Sequence, residues 1–193
     1  MSEKAPQATF SNEPGETIMI LGMSVPTFTL LHVIISLIAI VTGIVVTIGM
    51  LNGKKLAGWT GVFLLTTVLT SVTGFFFHSA KFGPPHIVGV ISLVVLAPTI
   101  AALYVFHLAG GWRRMYVIGS VIALYLNVFV LVVQSFQKIP VLNALAPTQS
   151  SEPAFAGTQG VALVLFVLAG IFATRRFHPA APLSTAPSAP ATA

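Results

Sequence analysis

Residues 73–89, TGFFFHSAKFGPPHIVG, decide how this chain is read. The stretch joins two long apolar runs, yet it carries His78, His86, Lys81 and the pair Pro84–Pro85. It is either a histidine site or the polar mouth of a hairpin between two membrane helices. Pro84 and Pro85 favour a helix start, because proline suits the first turn and cannot continue a preceding helix. The stretch is therefore read as a reversal between two spans.

The rest of the chain supports that reading. Of its 193 residues, 55% are hydrophobic and only 7% charged, with mean hydropathy +0.95. Soluble domains carry about 25% charged residues. A chain this poor in charge cannot cover a water-facing surface. Apolar runs of about 20 residues are long enough to cross a bilayer as helices. Five such spans are predicted: Thr27–Leu51, Trp59–Phe77, His86–Leu108, Met115–Phe136 and Ala154–Thr174. The expected fold is an all-α polytopic transmembrane helix bundle. Residues 1–25 form a polar N-terminal arm with no basic-then-apolar start, so no secretory signal peptide is expected. Residues 26–175 form the bundle. Within it, Pro140, Pro147 and Pro153 mark a long loop over 137–153. Residues 176–193, rich in Pro, Ala, Ser and Thr, read as a disordered tail.

Basic pairs give the orientation. Lys54–Lys55, Arg113–Arg114 and Arg175–Arg176 follow the first, third and fifth spans, so five spans put all three pairs on one side. By the positive-inside rule that side is the cytoplasm. The N-terminus and the 137–153 loop are then outside, and the C-terminal tail is inside. The net charge of +5 is explained by this pattern, so no nucleic-acid partner is expected.

Helices in lipid associate through small residues and side-chain hydrogen bonds. His32, Ser36, Ala39, Gly43 and Thr47 share one face of the first span. Thr66, Thr70, Thr73 and Gly74 suggest a matching stripe on the second. Ser120, Asn127 and Gln134 recur at seven-residue steps on the fourth. Pro98 lacks an N–H, which frees the carbonyl of Val94. Asn127 is expected to donate to that carbonyl and lock the third and fourth spans together.

Little else carries chemistry. There is no cysteine and no aspartate, and the only acids are Glu3, Glu13, Glu16 and Glu152, all outside the spans. Paired-carboxylate catalysis, hydrolase triads and thiolate sites lack their residues. Proton-coupled transporters use embedded carboxylates or histidines. The histidines are the remaining candidates. His32 and His86 lie on different spans near the same surface, and a b-type haem or a metal could take both as ligands. Against this, His32 is embedded by about five residues, or ~8 Å at the helical rise, while His86 sits at the membrane edge. The histidines are otherwise interfacial or structural, with His78 dispensable.

The motifs LLHVIISL (30–37), PPHIVGVISLVVL (84–96), LYLNVFVLVVQSFQKIPVLNALAPTQSSEPAF (124–155) and QGVALVLFVLAG (159–170) carry a resemblance. With them the chain resembles uncharacterised small multi-pass membrane proteins of proteobacteria, over most of residues 28–175. The resemblance implies a bacterial inner-membrane setting and brings no biochemical function or catalytic residue. The expected role is a non-enzymatic accessory component that contacts the lipid bilayer and another membrane protein. A haem- or metal-binding electron-transfer protein and a small-solute channel along the Asn127–Gln134 stripe are the alternatives.

Overall fold

The computed structural model describes residues 19–77, 83–148 and 152–179. His78, Lys81, the first 18 residues and the tail from 180 onward lie outside the described residues. A two-stranded hairpin opens the fold, Met19–Ile20 (β1) against Met23–Ser24 (β2). Leu21 and Gly22 both take positive φ, as a tight two-residue reversal requires. Ser24 then caps α1, Val25–Leu51, by accepting from the Thr27 N–H. The remaining helices are α2 (Ala57–Gly74), α3 (Pro84–Tyr104), α4 (Trp112–Lys138), α5 (Pro140–Leu145) and α6 (Pro153–Arg176).

Five of these, all but α5, are long and apolar enough to cross a membrane. At 27 residues, α1 and α4 rise about 40 Å, more than the ~30 Å hydrocarbon core. The bundle is apolar on its outside. Val41, Ile44, Leu65, Val94 and Leu165 are all exposed. In lipid that surface is solvated, so the protein is a multi-pass membrane protein.

Helices α1 to α4 form a ring in which each packs on the next and α4 closes on α1. Helix α6 lies outside the ring, against α4 and α1. The tight core sits near one end and is built from Val46, Met50, Phe63, Leu96, Tyr116 and Phe177. All three basic pairs gather at this end. Arg113 Nη1 donates to the Phe177 carbonyl at 2.6 Å. A Cβ on Gly53 would lie 3.3 Å from the Arg176 carbonyl. The turn after α1, the start of α4 and the end of α6 therefore meet. This is called the basic end below.

Several boundaries differ from the sequence reading. Helix α3 stops at Tyr104, not Leu108, because His107 and Leu108 adopt positive φ in the turn to α4. Phe106 stacks on Trp112 across that turn, with centroids 3.8 Å apart. Helix α4 runs two residues further, to Lys138, and the expected loop over 137–153 contains the short helix α5. Asn143 Nδ2 donates to the Phe136 carbonyl, and Phe155 meets Phe136 edge-on, which seats that segment over the far end of α4. The tail is anchored at its start: α6 continues through Arg176, and Phe177 is buried against Tyr116.

Candidate functional site

The polar groups inside the ring converge on α2. It is the least apolar of the five long helices. Thr60, Thr67 and Ser71 recur at helical spacing and are buried. From the basic end outward, Thr60 Oγ1 meets the Tyr116 hydroxyl of α4 at 3.2 Å. Thr67 Oγ1 accepts from Asn127 Nδ2 of α4 at 3.4 Å. Ser71 Oγ lies 2.9 Å from Ser92 Oγ of α3. Thr73 Oγ1 lies 2.7 Å from His32 Nδ1 of α1. One helix thus reaches all three other members of the ring through side-chain hydrogen bonds.

The hydrogens of this seam can be placed by counting. Thr67 and Thr73 each have one hydroxyl hydrogen. Each also lies 2.7 Å from a carbonyl of its own helix, Phe63 O and Leu69 O respectively. A carbonyl only accepts, so the hydroxyl hydrogen goes there. What remains on each oxygen is acceptor capacity. Asn127 fills the one on Thr67, and the Nδ1–H tautomer of His32 would fill the one on Thr73. Such contacts hold helices together, each worth about 0.6 kcal/mol in membranes.

The expected locations of the candidate residues fare differently. The small-residue face of α1 is inward as read: Ala39, Gly43 and Thr47 are buried and His32 is half-buried. The outer part of the α2 stripe packs as read: Thr73 bonds His32, and a Cβ on Gly74 would lie 3.9 Å from that ring. Thr66 instead bonds back to the Val62 carbonyl, and the more buried hydroxyls are Thr60, Thr67 and Ser71. The expected Asn127–Val94 bond is replaced. Asn127 Nδ2 donates to Thr67 Oγ1 and to its own Ala123 carbonyl, so Asn127 ties α4 to α2 rather than to α3 at Pro98. Around Pro98, α3 instead meets α4 through Thr99, which is fully buried and abuts Gly119. Gln134 is half-buried and its side chain bonds to nothing among the described residues.

His32 and His86 are not brought into contact. His32 packs edge-on against Phe77, with centroids 5.1 Å apart, and bonds Thr73. His86 turns to the start of its own helix, where Nδ1 accepts from the Gly83 N–H at a long 3.4 Å. Phe75 lies 6.0 Å from its ring. The two imidazoles thus have separate partners, Thr73 for His32 and the Gly83 N–H for His86. No group of three or more potential metal-ligating side chains occurs among the described residues.

Two packing features escaped the sequence reading. Gln159, at the start of α6, is buried and donates to the Phe129 carbonyl at 3.2 Å, while its Oε1 is buried without a partner among the described residues. Gly119 on α4 approaches Thr99 so closely that a Cβ would collide with its hydroxyl. A spacing search could have flagged Thr60, Thr67 and Ser71. No local signal distinguishes Gly119 from the other glycines. No family model, curated protein or solved structure matches the chain.

Proposed function

We propose that this is a non-enzymatic accessory protein of the bacterial inner membrane that binds a partner through its outer end. The orientation follows the basic pairs, with the basic end in the cytoplasm and the N-terminus outside. Two kinds of support bear on the role. Thr60, Thr67, Ser71 and Thr73 of α2 are engaged with side chains of the neighbouring helices, which ties the ring together. The end opposite the basic pairs, by contrast, carries apolar side chains on short elements outside the long helices. Met19 and Leu21 of the hairpin are 61% and 65% exposed, and Val141 of α5 is 73% exposed. The exposure of Val141 carries the proposal. It is the largest of any large hydrophobic side chain among the described residues, and it lies on a helix that α4 and Asn143 hold in place. Exposed apolar groups gathered on ordered elements mark interaction surfaces.

Photocrosslinking in native membranes tests this. A photoreactive residue at Leu21 or Val141 is expected to give one discrete protein adduct. The same residue at Val164, on the outward face of α6, should label lipid only. If Leu21 and Val141 also label lipid alone, the outer end merely dips into the headgroup region and the proposal fails. The half-buried His32 keeps a haem reading testable alongside. A Soret band in the purified protein, lost in His32→Ala, would replace the partner reading with an electron-transfer one.

A further inference from the structure

We infer that the groove between α4 and α6 binds one anionic phospholipid from the leaflet at the basic end. The groove has a volume of about 500 Å³ and is walled by Ile118, Ile122, Leu163, Val167 and Ile171. That lies within the ~300–1,000 Å³ range of small-molecule sites. Gly170 leaves it open, since no side chain stands there and Val121 Cγ1 lies 3.6 Å from where a Cβ would be. Tyr125, packed on Phe166 at 5.7 Å, borders the groove toward the membrane middle.

Its length and polarity select the occupant. From Leu163 to Arg175 the α6 wall rises ~18 Å, close to half of the ~30 Å hydrocarbon core. The groove therefore covers about one leaflet and opens at the basic end. Arg175 lines that opening. Arg114 precedes Ile118 by one turn, so it continues the α4 wall to the same level. Neither side chain has a partner among the described residues, whereas Arg113 is held by the Phe177 carbonyl. Glu152 is the only acid among the described residues, and it precedes α6 at the other end. A phosphate with a second negative or neutral headgroup fits two guanidinium groups, and an acyl chain fits the apolar walls.

Native mass spectrometry of the full chain in detergent tests the inference, with equal phosphatidylglycerol and phosphatidylcholine added. One retained phosphatidylglycerol per protein is expected, at roughly 10–30-fold preference, from two basic side chains near an anionic headgroup. Arg114→Gln with Arg175→Gln should abolish the preference. Lys54→Gln with Lys55→Gln removes the same charge away from the groove and should keep it. Gly170→Leu should lower retention of both lipids. Should Gly170→Leu fail to fold, Ile122→Phe fills the same groove from α4. Equal retention of both lipids by the wild type overturns the inference. Equal loss in both charge variants does so in favour of diffuse attraction. Full displacement by glycerol phosphate would assign the arginines to a soluble anion instead.

Discussion

Replacing Gly119 by alanine places a methyl group where the Thr99 hydroxyl now sits. Thr99 cannot easily yield. It is fully buried, and its Oγ1 is held at 2.7 Å by the Val95 carbonyl of its own helix. Its Cβ would still lie 3.1 Å from the new carbon. Overpacking of this kind costs about 1–3 kcal/mol. Alanine recovers about 1 kcal/mol over glycine in helix propensity, so a net loss of up to about 2 kcal/mol is expected. Thr99→Ala alone deletes a methyl and a hydroxyl and should cost about 1 kcal/mol through the space it leaves. The two changes should compensate. The double variant should be no less stable than Thr99→Ala, giving a coupling of about 1–2 kcal/mol. Rescue will be incomplete because of the residual Cβ contact. The assay is reversible unfolding in mixed micelles with increasing dodecyl sulfate, followed by circular dichroism. Additive effects would refute the close approach of α3 and α4 at this point.

The polar contacts make further predictions. Asn127→Leu and Thr67→Val should each destabilise by about 0.6–1.7 kcal/mol and be non-additive, while Pro98→Ala should give Asn127→Leu no relief; relief would restore the Val94 pairing. Gln159→Leu removes one interhelical bond but also a buried unpaired oxygen, so the same unfolding assay should show a change within about 1 kcal/mol of zero. A loss well above that would mean the Phe129 bond dominates. Reporter fusions after Lys55, Arg114 and Arg176 should all read cytoplasmic; a periplasmic reading at Arg176 alone would remove α6 as a span.

The fold class, the five spans and the gathering of the basic pairs at one end are legible in the order of residues alone. These follow from quantities counted along the chain. The length of an apolar run and the charges at its ends decide whether and which way it crosses, because lipid forbids unbonded backbone and headgroups favour cations. The inward face of α1 was also legible, since His32, Ala39 and Gly43 repeat at helical spacing. What only the tertiary structure decided is who meets whom. Periodicity gives a helix a face but not a neighbour, and in lipid no hydrophobic pressure chooses one. Asn127 could reach a carbonyl on α3 or a hydroxyl on α2, and the ring geometry selected Thr67. His32 and His86 lie near the same end but sit on α1 and α3, across the ring, and each found a nearer partner in Thr73 and Gly83. The contact of Gly119 with Thr99 depends on the approach of two helices to within a methyl group, a distance no linear pattern encodes.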